Sequence, residues 1–325
     1  MTPSTLTYSH TLLIPLTRTC GAACSYCSFK NDDGKLLTFD EIENLVRQYF
    51  DTGICEVALS SGQYLNRTDS IKKQWSERGY ASFIHYVRDI CQLVLENQLL
   101  PSLDIGPMSY SEIEALAPYV TSVKLLLENI STDFAQQFQT GKSIDDKIET
   151  LSDAGLLGVP VTTGILIGAG ETQDQRKATI EAIAEVHGKY GHIQSVILQM
   201  VYRENDKTDA PLKVREFQDL IALVKSTMPD AVVSIPANAP AAWYDSVAVG
   251  VSDIGNIYEG YDGIDWSKPF PKLVEIERTL GRKGIALKPR FPIFVHQFNR
   301  GLVQEGVSRV LRGWMSKKEF TYYYD

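Results

Sequence analysis

The strongest constraint on the fold is a repeated alternation of strand-sized apolar runs with helix-sized segments along most of the chain. Thr11 to Leu16, Glu56 to Ser60, Pro101 to Ile105, Ser122 to Leu127, Val159 to Ile167, Ser195 to Val201 and Val232 to Ile235 read as strands. Between them, helical spacing runs from Phe39 to Tyr49, Phe83 to Leu99, Gln173 to Lys189, Val214 to Met228 and Ala239 to Val249, with further helical segments from Thr132 and Ser143. Ser109 with Glu112 has the spacing of a capping box and marks another helix start. Strands that alternate with helices form a parallel sheet with right-handed crossovers, and seven or so repeats favour an α/β fold of the TIM type, a (βα) barrel either partial or complete. The expected organisation is a barrel over residues 1–270, with 271–325 as a C-terminal extension packed on it. The stretch from Ser252 to Phe270, rich in Gly, Asp, Tyr and Trp, reads as a loop, and Pro271 to Leu280 as a helix.

In such a fold, functional groups gather at the C-terminal ends of the strands. The loop after the first strand carries Cys20-Gly-Ala-Ala-Cys24-Ser-Tyr26-Cys27. Thiolates suit iron–sulfur clusters and zinc. Three of them within eight residues hold three corners of a 4Fe-4S cubane. The fourth iron is then open to chelate the amino and carboxylate groups of S-adenosyl-L-methionine (SAM). A zinc knuckle would want a fourth ligand nearby, and the nearest histidine, His10, lies upstream of the whole strand. Cys55, just before a strand, and Cys91, within a helix, read as core residues.

With 325 residues, 44% hydrophobic and 22% charged, the composition is that of an ordinary globular chain. A formal net charge of −8 gives no general attraction for nucleic acid. The apolar run Leu12 to Leu16 is too short for a membrane span, and no secretory signal is evident, so a cytoplasmic protein is expected.

The motif, its place after the first strand and Tyr26 resemble the radical SAM superfamily. Three segments are similar, more narrowly, to the family of FO synthase subunit 1 (CofG): Ile14-Pro-Leu-Thr17 through Cys27-Ser-Phe29, Val161 through Glu171, and Tyr190 through Gln199. FO is the deazaflavin core of coenzyme F420. The resemblance implies a radical SAM fold, a 4Fe-4S cluster on Cys20, Cys24 and Cys27, and SAM. It also implies a lyase-type reaction in F420 biosynthesis that closes the ring of a tyrosine–diaminouracil adduct with loss of ammonia. The implied partners are the small-molecule substrate, a one-electron donor such as a flavodoxin or ferredoxin, and a second radical SAM subunit. The cofactor-binding positions it implies are Tyr26 near adenine, the turn Ser61-Gly62-Gln63 at the SAM amino group, Glu128 at the ribose or substrate, and Gly164, Gly168, Gly170 and Glu171 beside adenine. For Glu171 an N-terminal helix acid is an equal reading, favoured by the helix dipole. Glu128, Gln199 and Asp253 are the candidate catalytic residues. Asn238 matches another family position near a late strand end, and His192 reads as structural.

This chain departs from the family pattern at Ser102-Leu-Asp-Ile-Gly106, at Gln63, at Met200-Val-Tyr-Arg-Glu-Asn205 and at Asn256-Ile-Tyr-Glu-Gly-Tyr261. Those departures keep two other readings open: a diverged radical SAM enzyme acting on another amino-acid-derived or aromatic substrate, and a non-catalytic iron–sulfur or zinc module.

Overall fold

The computed structural model describes residues 4–31, 33–49, 52–201, 212–239, 241–259 and 269–317. Eight parallel strands form a closed ring: β1 (Ser4–Thr17), β2 (Glu56–Ser61), β3 (Leu100–Asp104), β4 (Ser122–Lys124), β5 (Val161–Ile167), β6 (Ile193–Met200), β7 (Val232–Ser234) and β8 (Asp253–Tyr258). Each pairs with the next, and β8 pairs back onto β1 through Thr7–Asp253 and Thr11–Tyr258. The closure of this ring answers the question of a partial or a complete barrel.

The anticipated helices are present. They include α1 (Phe39–Gln48), α3 (Phe83–Glu96), α4 (Tyr110–Leu116), α5 (Thr132–Phe138), α6 (Ile144–Leu156), α7 (Gln173–Tyr190) and α8 (Val214–Thr227). Helix α2 (Asp69–Glu77) has no counterpart in the sequence reading, and Ala241–Val249 is a 3₁₀ helix rather than an α-helix. The capping box forms as its spacing predicts: the Ser109 amide donates to Glu112 Oε2 at 2.8 Å.

The stretch read as a loop after Ser252 contains β8, and the reason lies in the barrel interior. Side chains alternate along β1: Leu6, Leu12, Ile14 and Leu16 are buried in the apolar core, while Thr7, Ser9 and Thr11 reach carboxylates inside the ring. Glu56, the first residue of β2, accepts from Ser9, from Thr11 at 3.1 Å, from Ser102 at 2.5 Å and from Asn256 at 2.9 Å. A strand that meets a polar interior on one face looks polar in sequence. Of the six residues of β8, only Ile254 and Ile257 are aliphatic.

The C-terminal segment lies against one end of this ring. Strand β9 (Ile285–Pro289) pairs in parallel with Ser4–Tyr8 of β1. Gln194 receives the Phe294 amide on Oε1 at 3.1 Å and donates to Pro292 O at 3.0 Å. Helices α9 (Leu273–Gly281), α10 (Val295–Asn299) and α11 (Glu305–Met315) complete the segment. Among the described residues no helix is long and apolar enough to cross a membrane.

Candidate functional site

At the C-terminal ends of the strands, Cys20, Cys24 and Cys27 line one cleft of about 180 Å³ together with Tyr26, Gly62 and Glu128. The cysteine loop is tied down at two places. Its Ala23–Cys24 segment pairs antiparallel with Gln139–Thr140, and the Gly21 amide donates to Gln63 O at 2.8 Å. Gly62 is where the loop meets the turn after β2. A Cβ there would stand 2.0 Å from Thr19 O and 2.7 Å from Cys20 Cα, so only glycine lets the two backbones touch. The amides of Ala22 and Gln63 donate to Cys20 Sγ at 3.4 and 3.3 Å, as suits a ligating thiolate.

None of the three cysteines is in a disulfide, and Cys27 is exposed. Burial lifts the Cys24 thiol above its usual pKa, with Lys142 pulling the other way; cationic metal centres favour the thiolate. Among the described residues, no three His, Cys, Asp or Glu side chains converge as a single-ion site would require. Three free thiols lining one cleft, without the convergence that one ion needs, suit three corners of a cluster better than a zinc knuckle. Cys55 and Cys91 are buried in the apolar core, as expected.

Facing the cysteines is a charged group anchored by Glu128. This residue holds φ 68, a left-handed conformation rare outside glycine. Its amide donates to Gly164 O and its carbonyl accepts from Leu166 N, each at 3.0 Å, which fixes the kink against β5. Its carboxylate accepts from Gln139 at 2.8 Å, from Lys142 at 2.8 and 2.9 Å, and from Lys147. Burial alone would raise the carboxyl pKa; Lys142 and Lys147 outweigh it and hold the group down to about 2. Lys142 is pushed the other way: burial would lower its pKa, and Glu128 more than compensates. Tyr26 extends the network, its hydroxyl accepting from Gln139 Nε2 at 2.9 Å. Burial raises its phenol.

Other expected positions divide. Ser61 and Gln63 line the cleft, Ser61 Oγ donating to Gly62 O at 2.8 Å. The Gln63 side-chain oxygen is buried without a partner, an open acceptor suited to an ammonium group. Gln199, next to last in β6, lines the cleft, and its amide nitrogen donates to Met200 O at 3.0 Å.

Gly164 does not line the cleft. It sits inside β5, where a Cβ would meet Ile197 O at 2.1 Å, so it serves the close approach of β6. Glu171 is occupied locally. Its carboxylate accepts from the amides of Gly168, Ala169 and Gly170 at 2.8, 2.8 and 3.1 Å and from Arg176 Nε at 2.7 Å. It orders the loop that holds Gly168 and Gly170, both at positive φ, and it does not point at the cleft.

Asp253 is a correction. It begins β8 and therefore stands at the opposite end of the barrel from the cysteines. Arg290 binds it through two nitrogens, at 2.6 and 3.0 Å; Thr7, Ser234 and the Gly255 amide take the remaining lone pairs. A fully buried carboxylate with five donors is a structural tie, not a reacting group. Asn238, after β7, lines a smaller cavity inside the barrel. His192 is fully buried just before β6, with its ring edge-on to Tyr190. Of the departing loops, Tyr202–Asn205 and Gly260–Tyr261 lie outside the described residues.

Sequence reasoning does not single out Ser60 and Lys124, and it marks Asp104 and Tyr258 only as members of the departing segments Ser102 to Gly106 and Asn256 to Tyr261. Asp104, Lys124 and Tyr258 are the last residues of β3, β4 and β8, and Ser60 is next to last in β2. Lys124 Nζ lies 3.5 Å from Asp104 Oδ2. Burial would lower the Lys124 pKa, yet Tyr258 and Asp104 together raise it. The available signal was a charged residue closing an apolar strand, at the end where barrels place function.

The chain matches the radical SAM superfamily model over residues 14–183. It is 31% identical to 7,8-didemethyl-8-hydroxy-5-deazariboflavin synthase of Methanococcoides burtonii, over 98% of each chain. It is 32% identical to the protein of that name from Methanococcus maripaludis, over 89% of this chain and 85% of that one. Two solved structures share the fold. The hydrogenase maturase HydG of Carboxydothermus hydrogenoformans superposes with a TM-score of 0.69 at 16% identity, over 99% of this chain and 81% of that one. Methylornithine synthase (PylB) does so with 0.66 at 15% identity, over 92% and 87%. A closed parallel barrel, a three-cysteine loop at its mouth and near full-length similarity to these synthases thus agree: the chain belongs to the radical SAM superfamily and, within it, to the family of the 7,8-didemethyl-8-hydroxy-5-deazariboflavin synthases.

Proposed function

We propose that this enzyme carries out the radical SAM step that completes the deazaflavin ring system, closing a tyrosine–diaminouracil adduct with loss of ammonia. The observation that carries the reading is the cleft at the mouth, where three free cysteines face the Glu128–Lys142–Lys147 group. Relatives similar over nearly the whole chain are named for that product.

In this reading Cys20, Cys24 and Cys27 hold a 4Fe-4S cluster with one iron open to SAM. Bound together, cluster and SAM would supply a 5'-deoxyadenosyl radical, with methionine as the other fragment of the broken carbon–sulfur bond, on receipt of one electron from a donor such as a flavodoxin or ferredoxin. Glu128, kept ionised by two lysines, presents a fixed charge to the SAM ribose. Tyr26 offers its ring to the adenine, and the turn at Gly62 and Gln63 offers its backbone and open amide oxygen to the methionine ammonium. The apolar stretch Leu125–Leu126 and Leu166 lines the same cleft and limits water near the radical. A second radical SAM subunit supplies the adduct, and both act in the cytoplasm.

The test is anaerobic turnover of the reconstituted protein with SAM, a reductant, tyrosine, the diaminouracil and the partner subunit. Deazaflavin fluorescence is the expected result, lost when any one of the three cysteines is replaced by Ala. Cleavage of SAM to 5'-deoxyadenosine without deazaflavin would sink the assignment and leave a diverged relative with another substrate.

A further inference from the structure

Beneath the cleft lies a second cavity of about 70 Å³ inside the barrel. Ser60, Asp104, Lys124 and Gln199 line both spaces, so these four side chains form the boundary between them. They come from β2, β3, β4 and β6 and sit at or one residue before the strand ends. The register sets them side by side: Ser60 pairs with Asp104, and Asp104 and Lys124 each follow the paired residues Leu103 and Val123.

We propose that this ring reads the donor–acceptor edge of a pyrimidinedione in the substrate, with Lys124 donating to a ring carbonyl and Asp104 accepting from the adjacent imide N–H. This rests on the deazaflavin reading above and names the residues that recognise half of the molecule.

Four observations carry it. An imide edge presents an acceptor and a donor on neighbouring atoms, and the ring presents a donor and an acceptor 3.5 Å apart. The long ion pair leaves both groups within reach of a ligand, since Lys124 retains 21% and Asp104 41% of its side-chain exposure. Ser60 Oγ is buried without any partner, so a hydrogen-bonding site stands open at the boundary. Leu13 and Ile197 line the inner cavity beside the charged pair and supply apolar surface for the faces of a flat ring whose edge is polar. Tyr258 and Asp104 together hold the Lys124 pKa above its usual value against burial, which makes it a steady donor rather than a proton shuttle. Lys124 and Asp104 are therefore specificity-determining residues.

The test uses the reconstituted holoenzyme and two fluorescent probes: the deazaflavin product and its derivative methylated at the imide nitrogen. Methylation should weaken binding to the wild type by roughly tenfold to a hundredfold, the loss of one charge-assisted hydrogen bond. Lys124→Met should weaken the unmodified probe by a similar factor, and Lys124→Arg should recover most of it. Asp104→Asn should bind the two probes with a much smaller difference than the wild type, a coupling that a merely structural role would not produce. Equal binding of the two probes to the wild type overturns the proposal, as does the full methylation penalty persisting in Asp104→Asn. Displacement of the probe by free tyrosine with no effect of imide methylation shows that the pair reads an amino-acid zwitterion instead and overturns it too. A wild type that forms deazaflavin but ignores methylation refutes this inference alone; a wild type that forms none refutes the functional reading with it.

Discussion

At the two ends of the barrel, particular polar side chains of the same types are held to different effect. At the base, Asp253 and Arg290 are buried and locked in a two-point pair, Glu56 is saturated by four side chains, and Gln194 clamps the C-terminal segment. At the mouth, Glu128 stands at a positive φ, Gln63 and Ser60 keep unpartnered buried oxygens, and Lys124 pairs with Asp104 only at 3.5 Å. A satisfied network stabilises a fold and leaves nothing over for a ligand. An unsatisfied or strained one costs stability and is retained where a ligand completes it. Asp253 and Asp104 are both aspartates at a strand terminus, yet the one at the base is fully buried under five donors and the one at the mouth keeps 41% of its exposure beside a single lysine.

The sharpest way to break this contrast is at Gly62. Gly62→Ala forces a methyl group into Thr19 O and displaces the cysteine loop. A displacement of about 1 Å at such a site costs on the order of a hundredfold in activity. Reconstituted iron content and SAM cleavage per folded molecule should fall together, beyond whatever stability the backbone shift costs. Normal iron content would mean that the loop is not held by this contact. Asp253→Ala should do the reverse. Removing one partner of a buried pair costs about 3–5 kcal/mol, because Arg290 is left buried and uncompensated. Urea denaturation should register that loss, with SAM cleavage per folded molecule unchanged. Asp253→Leu combined with Arg290→Met should restore much of the stability, since apolar replacement of a whole buried pair is often neutral. Lost cleavage in the folded single variant would return Asp253 to the active site.

Much of the fold and the metal end of the site could be read in the sequence, because both rest on local patterns. Seven of the eight barrel strands announce themselves as apolar runs, and the cysteine spacing needs no tertiary information. Strand β8 was hidden because its inward positions serve a polar interior. That one omission misplaced Asp253: without the strand, its start could not be told from its end. Glu171 carries two readings in the sequence for a related reason, and Gly164 serves the approach of β6. A glutamate after a glycine-rich turn looks alike whether it binds a ligand or caps its own loop, as it does here through three amides. Lys124 is not singled out, and Asp104 stands out only within a departing segment, because a single charged residue at the end of a strand resembles a solvated one. Only the closed barrel brings four such ends around one opening.

The smallest expected effect separates the two ends by pH. His192 lies at the base, fully buried, and burial depresses its pKa from 6.5 to about 4. In the folded protein it is neutral across that interval, whereas in the unfolded chain it takes up a proton below about 6.5. The unfolded state then binds more protons, so lowering the pH favours unfolding. The contribution of His192 to stability is whole above about 6.5, declines as the pH falls, and has lost about 3 kcal/mol by pH 4. Subtracting the stability of His192→Leu from that of the wild type at each pH isolates this term from the other groups that titrate there. The difference should be flat above pH 6.5 and slope downward below it. A flat difference throughout would mean that His192 is charged in the fold and paired with something at the base. Iron content and SAM cleavage at neutral pH should be the same in both proteins, because His192 touches nothing that the cysteine loop depends on.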